Sequence, residues 1–259
     1  MTGRFEGMAV LLTGATGGFG RCAAERFAQE GARLILSDLD EAALQELARG
    51  LPTETAILAG NIADESLSES LVKLALAKFG QLDVALNNAG IVHSFVSLAN
   101  VPTDEARQVL EVNLLGVFYA MKYQLPAMAR QFRETKRPGA VINISSSAGL
   151  AAAPKLAMYA AAKHGVIGLT KTAAIEYASK GIRVNAVCPS YARTPMAQSF
   201  LKITKASEEA AYAELTRGVP MRRLAEVEEV VEAILFAADP RNSFMTGAAI
   251  PVDGGISAI

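Results

Sequence analysis

A net charge of −1 over 259 residues leaves no electrostatic footprint for nucleic acid or an anionic membrane surface. Two distant cysteines, Cys22 and Cys188, and two histidines, His93 and His164, lack ligand-like spacing, which argues against a metal site and for a reduced, cytoplasmic setting without a disulfide. The apolar fraction of 51% supplies a large core, yet its richest stretch, from Leu150 to Ala178, is broken by Lys155, Lys163, His164 and Lys171 and does not read as a membrane span.

Apolar runs of strand length alternate along the chain with helix-length amphipathic segments. The strands are expected at Ala9 to Leu12, Leu34 to Ser37, Ala56 to Leu58, Val84 to Leu86, Val141 to Ile144, Arg183 to Val187 and Ala249 to Val252. This alternation predicts an α/β fold, a doubly wound parallel sheet with helices on both faces, because each parallel crossover must pack back over the sheet. No repeat, Ser/Gly/Pro-rich linker or long charge run interrupts it, so residues 1–259 read as a single domain. Ligands in such folds bind beyond the carboxyl ends of the strands.

The first strand runs into Thr13-Gly14-Ala15-Thr16-Gly17-Gly18-Phe19-Gly20, which opens a helix extending to about Glu30. Glycines there allow a tight turn and close approach to a pyrophosphate, and a helix N-terminus offers unpaired N–H groups and a partial positive charge. Asp38 ends the second strand, twenty residues after Gly18, where a carboxylate accepts hydrogen bonds from an adenosine ribose and repels a 2′-phosphate. The plainer alternative is a solvated loop acid beside Asp40 and Glu41.

Asn87-Asn88-Ala89-Gly90 follows the fourth strand, with His93 just beyond it, within reach of the same side of the sheet. Asn113 falls in the middle of a long helix among Val112, Leu114 and Leu115, where a buried amide needs partners. The cations Arg130, Arg133, Lys136 and Arg137 lie where that helix ends, at the edge of the sheet opposite the motifs, and read as a solvated face.

Ser146 follows the fifth strand and precedes Tyr159 by thirteen positions, and Lys163 follows Tyr159 by four. Residues four apart share a helix face. A free phenol titrates near a pKa of about 10, and an ammonium roughly 5 Å away at an effective dielectric of about 20 favours the phenolate by about 3 kcal/mol, or about two pKa units. Tyr159 and Lys163 are thereby candidates for proton exchange near neutral pH, although a bare Tyr-x-x-x-Lys also describes many ordinary helix surfaces. Ser145 and Ser147 rival Ser146, but strand alternation places them on the opposite face.

Taken together and in this order, the Thr-Gly-x-x-x-Gly-x-Gly turn, Asn87-Asn88-Ala89-Gly90, Asn113, Ser146, Tyr159 with Lys163, Asn185-Ala186-Val187-Cys188-Pro189 and Thr194 closely resemble the single-domain members of the short-chain dehydrogenase/reductase family. The resemblance implies a Rossmann-type fold and an NAD-dependent oxidoreductase that interconverts a secondary alcohol and a ketone. By it, Tyr159 is the acid/base, Ser146 orients the substrate oxygen, Lys163 binds the nicotinamide ribose and lowers the tyrosine pKa, and Asn113 holds a relay water. It extends the cofactor contacts to Gly14, Thr16, Gly17, Gly18, Phe19, Gly20, Asp38, Leu39, Asn61, Ile62, Asn88, Ala89, Gly90, Pro189, Ala192 and Thr194. Three positions depart from the family pattern: Phe19 is bulkier than usual, Asn61 replaces an aspartate at the adenine, and Ser190 stands where glycine is usual.

Residues 191–219 are expected to cover the substrate, with Met196, Phe200, Leu201 and Ile203 giving a partly apolar pocket for a small molecule, walled in addition by His93, Leu150 and Ser190. The segment from Met158 to Tyr177 is apolar around most of its circumference, which predicts burial against another subunit; the resemblance implies a homotetramer. A 3-oxoacyl-carrier-protein reductase shares the same tetrad, but such enzymes mostly use NADPH, against which Asp38 argues. A non-catalytic dinucleotide-binding protein would have no need of the intact set Asn113, Ser146, Tyr159 and Lys163.

Overall fold

The computed structural model describes residues 3–194, 213 and 215–258. Met196, Phe200, Leu201 and Ile203, expected to line the substrate pocket, lie outside the described residues. Seven strands form where expected: β1 (Ala9–Thr13), β2 (Arg33–Ser37), β3 (Thr55–Ile57), β4 (Val84–Asn87), β5 (Gly139–Ile144), β6 (Ile182–Pro189) and β7 (Ala249–Val252). They make one parallel sheet in the order β3-β2-β1-β4-β5-β6-β7. The chain builds outward from β1 in one direction, then returns and builds from β4 in the other, which opens a crevice beyond Thr13 and Asn87.

Strand residues are apolar on both faces because helices cover both. Val10, Leu12, Leu34, Leu36, Val84, Leu86, Ala140 and Ile142 pack toward one layer, made by α1 (Gly18–Gln29), α2 (Glu41–Gly50) and α7 (Val227–Ala238). The alternate residues Ala9, Leu11, Ile35, Ala85 and Val141 pack toward the other, made by α3 (Glu65–Phe79), α5 (Gly116–Thr135) and α6 (Ala157–Tyr177). Between β4 and α5, the helix α4 (Thr103–Leu110) runs into a single π-turn, Glu111–Leu115, before continuing as α5. The long helix expected around Asn113 is therefore continuous but carries an extra residue at that point.

Two polar features lie inside the second layer. Asn87 and Asn143 are paired in register across β4 and β5; Asn87 Nδ2 donates to Asn143 Oδ1 at 2.8 Å and exchanges bonds with Gln124 of α5, while Asn143 Nδ2 donates to Thr170 Oγ1 of α6 at 2.9 Å. All four are buried, and the mutual bonds meet the demand that burial places on amides. At the other end of β4, buried Asp83 accepts from the Ala9 N–H at 2.8 Å and faces Arg137 at 3.7 Å. Arg137 is thus tied to the sheet and is not simply part of a solvated face.

Candidate active site

The glycine-rich turn is shaped by contact with the loop after β4. Gly14 has φ +66°, and a Cβ on it would lie 2.8 Å from Ala89 Cα. Asn88 Nδ2 donates to the carbonyls of Thr13 and Gly14 at 3.1 and 2.9 Å, and Thr13 Oγ1 accepts from the N–H groups of Asn88 and Ala89. Asn88 therefore braces the turn with its amide. A Cβ on Gly20 would approach Gly14 O to 1.9 Å, so only glycine lets α1 start this close to β1. Phe19 is half-buried and leans on the core beneath the turn.

The helix N-termini differ in a way that bears on ligand charge. Asp40 caps α2 and Asp64 caps α3, each followed by a glutamate in the first turn. At α1 the capping position is Gly17 and the first turn Gly18-Phe19-Gly20 has no acid, so its N–H groups and partial positive charge face the crevice unopposed. Asp38 stands beside this turn. Its Oδ2 accepts from the Thr16 N–H at 2.9 Å and the Thr16 hydroxyl at 2.6 Å, and its Oδ1 accepts from the Leu39 N–H at 2.7 Å. Leu39 itself is 70% exposed. Asn61 is exposed, and its Oδ1 accepts from the Ala63 N–H at 3.0 Å in a local turn; Ile62 is buried beside Gly116.

Beyond β5 the three serines separate cleanly. Ser145 Oγ donates to the Lys163 carbonyl at 2.9 Å and so fastens α6 to the sheet, while Ser147 begins a 3₁₀ turn, Ser147–Gly149. Ser146 caps that turn, accepting from the Ala148 N–H at 3.1 Å, and its hydroxyl faces the Tyr159 phenol, where it favours the phenolate. Its remaining bond, to the Pro189 carbonyl, is long at 3.3 Å, which leaves its proton available to an oxygen placed nearby. Pro189 ends β6, followed by Ser190, whose N–H reaches Val252 O at 3.2 Å, then by Ala192, which is buried and bridged to Ala225, and by Thr194, whose N–H donates to Ala192 O at 2.8 Å.

Lys163 is buried on α6. Its Nζ donates to the Ile144 carbonyl at 2.7 Å and lies 5.6 Å from the centroid of the Tyr159 ring. Burial lowers the ammonium pKa to about 8. Burial also raises the Tyr159 phenol, against the lowering effect of the nearby Ser146 hydroxyl, and the neighbouring Tyr191 phenol adds to the rise. The phenol is thus raised where a depression by Lys163 was expected, and the Lys163 ammonium is directed at a main-chain carbonyl. Asn113, fully buried at the π-turn, accepts from the Ile91 N–H at 2.8 Å and donates to the Ile91 carbonyl at 2.7 Å. A Cβ on Gly90 would lie 3.3 Å from Asn113 Oδ1 and 3.5 Å from Lys163 Nζ, so the two side chains converge on that glycine. Tyr191, which follows β6 and acts electrostatically on Tyr159, was not singled out as a site residue; an aromatic just after a strand carries no local signal for that role.

A family model described as enoyl-(acyl carrier protein) reductase matches residues 14–257. The 3-oxoacyl-[acyl-carrier-protein] reductase FabG of Thermotoga maritima is 38% identical over 256 residues, covering 98% of this chain and 99% of the relative. Cyclohexanol dehydrogenase of Acinetobacter sp. is 37% identical over 261 residues, covering 100% and 98%. The chain belongs to the short-chain dehydrogenase/reductase family.

Among solved structures, levodione reductase superposes with a TM-score of 0.92 at 32% identity, covering 98% of this chain and 99% of that one. A 3-ketoacyl-(acyl-carrier-protein) reductase from Brucella melitensis complexed with NADH gives 0.89 at 33%, covering 98% and 99%, and ElxO with NADP bound gives 0.88 at 31%, covering 97% and 99%. As a short-chain dehydrogenase/reductase the protein is an oxidoreductase of CH–OH groups that works with a nicotinamide dinucleotide. Its residues fit such a cofactor: an uncapped, acid-free helix N-terminus for the pyrophosphate, and a carboxylate held at the end of β2.

The burial of Lys163 has a measurable sign. With a folded pKa of about 8 against an ordinary 10.5, the native chain binds fewer protons than the unfolded one between these values. The burden of the charge is therefore fully felt below about pH 8 and relieved as pH rises toward 10.5. Relative to Lys163→Met, the wild type should gain stability across this window by at most about 1.4 kcal/mol per pH unit, measured by urea unfolding at a series of pH values. A difference that stays flat with pH would mean that the ammonium is solvated.

Proposed function

We propose that the protein is an NAD-dependent dehydrogenase/reductase that interconverts a secondary alcohol and a ketone of a small, partly apolar substrate, with Tyr159 as the acid/base. The observation that carries this is the convergence of the Ser146 hydroxyl and the Tyr159 phenol in front of Lys163 and Asn113, at the carboxyl ends of β4 and β5 and beside the acid-free N-terminus of α1. The bound nicotinamide supplies or receives the hydride. In reduction, the phenol gives its proton to the carbonyl oxygen; in oxidation, the phenolate takes the hydroxyl proton. Ser146 donates a hydrogen bond to the same oxygen and stabilises the negative charge that develops there. The elevated phenol pKa favours the protonated form, which is the form needed for reduction, and Lys163 supplies the cation that steadies the phenolate once it forms.

Two similar proteins, one named for cyclohexanol and one for levodione, support cyclic alcohols and ketones as the first substrates to try. The second reading, a 3-oxoacyl-carrier-protein reductase, is favoured by the similarity to FabG and is separated by including acetoacetyl thioesters in the same panel. Tyr159→Phe deletes one hydroxyl and should lower kcat at least about a hundredfold while leaving NADH binding, followed by fluorescence, nearly unchanged. Near-normal turnover in this variant would remove Tyr159 from the mechanism.

Preference for NAD rests on Asp38. Three hydrogen bonds hold its carboxylate in place, so it cannot easily swing away from a cofactor 2′-phosphate. At roughly 4 to 5 Å and an effective dielectric of about 20, repulsion amounts to about 3 to 4 kcal/mol per unit charge. Of the two arginines that could offset the repulsion, Arg21 and Arg33, the second is directed away, since its guanidinium bonds Gly7 O and stacks on Phe79 at the far end of β2. The double variant Asp38→Ala, Leu39→Arg should shift the ratio of kcat/KM values toward NADP by about a hundredfold or more, mainly through KM. A wild-type enzyme that uses NADP as well as NAD would defeat the assignment.

A homotetramer in the cytoplasm completes the reading. Ile175 on α6 is 83% exposed, Phe118 on α5 is 42% exposed, and near the last strand Phe236 and Phe244 are also exposed, which supports two separate apolar contact faces. Light scattering should return four times the chain mass at working concentration; a monomer would contradict it.

A further inference from the structure

The helix that carries Tyr159 begins without a cap of its own. Leu156 occupies the capping position of α6 and has no side-chain acceptor, so the first-turn N–H groups need a partner from elsewhere. That partner is His93: the N–H of Met158, the residue immediately before Tyr159, donates to His93 Nε2 at 3.3 Å. The other ring nitrogen, Nδ1, lies 2.7 Å from the Ser94 carbonyl. A carbonyl only accepts and a main-chain N–H only donates, so the ring is the neutral tautomer with its proton on Nδ1 and its lone pair on Nε2. Both nitrogens are occupied, and the ring is 4% exposed. The expected role of His93 as a substrate-facing wall is therefore replaced by one inside the scaffold.

The loop that delivers this ring is clamped on both sides. Asn113 at the π-turn holds the N–H and carbonyl of Ile91, two residues before the histidine. Glu105 on α4 accepts from the Ser94 N–H at 2.6 Å and from its hydroxyl at 2.8 Å, one residue after it. A side chain so fixed can fix what it touches. We propose that His93 is a positioning residue for catalysis: its Nε2 caps the first turn of α6 from a distant loop and so holds the Tyr159 phenol in register with Ser146. The inference rests on the reading of Tyr159 as acid/base. Without the cap, the first turn is free to fray, and displacements on the order of 1 Å are enough to cost about a hundredfold in rate.

Two substitutions divide the ring's bonds between them. In His93→Gln the side-chain oxygen falls where Nε2 stands and can still accept from Met158, while the bond to Ser94 is lost. In His93→Asn the side-chain nitrogen can still donate to Ser94, but nothing reaches Met158. With NAD and any alcohol the wild type turns over, His93→Gln should keep kcat within about threefold, and His93→Asn should lose about tenfold or more, the gap between the two variants falling chiefly on kcat. Thermal melts accompany the kinetics, so that loss of fold is seen as such. Equal kcat values for the two variants, or a lower value for His93→Gln, would overturn the proposal. Tyr159→Phe, run alongside, separates the levels: if it is inactive while His93→Asn is normal, the cap alone is refuted, and if it remains active, the acid/base reading falls and this inference with it.

Discussion

A single ammonium ties the active site together. Lys163 Nζ is buried and bonded to the carbonyl that ends β5, so the helix carrying Tyr159 cannot slide along the sheet without breaking a charge-assisted hydrogen bond in a place that water does not reach. Ser145 secures the same residue from its main-chain side. Ser146, between Ser145 and the turn it caps, faces Tyr159. Burial makes this arrangement rigid and also makes the ionised forms of both catalytic-helix groups unfavourable, lowering the lysine and raising the tyrosine.

The cofactor side depends on close approach instead. The loop after β4 presses on Gly14 closely enough that a methyl group would collide with Ala89, and Asn88 bonds two carbonyls of the same turn. The glycine-rich turn is therefore shaped from the neighbouring strand as much as by its own glycines. Through Ile91 and Asn113, that same loop continues to the π-turn and Lys163, so the two halves of the candidate site share one support.

Much of this was legible in the residues. The inner strands, covered by helices on both faces, are largely apolar runs and stood out for that reason, with Asn87, Asn143 and Asn185 as interruptions. The offset between Ser146 and Tyr159 survives into space because Ser145 and Ser147 are turned to other tasks. Other features were not legible for identifiable reasons. The π-turn at Asn113 adds one residue to a helix whose periodicity otherwise continues across it. The buried set of Asn87, Asn143, Gln124 and Thr170 draws on two strands and two helices, so no local window contains it. The sign of the Tyr159 shift depends on burial, which spacing along a helix does not report.

The bonds from Thr16 to Asp38 give the protein's history a direction. Under the proposed preference for NAD, one carboxylate both discriminates at the ribose end of the crevice and pins the turn that would meet the pyrophosphate, so its loss would alter two properties at once. A lineage drifting toward the phosphorylated dinucleotide cannot simply neutralise Asp38; it passes through an intermediate in which the Thr16 N–H and hydroxyl have lost their acceptor. Selection would favour substitutions at Thr16 or Leu39 arriving first, and the order of accepted changes at these three positions becomes constrained by a pair of hydrogen bonds.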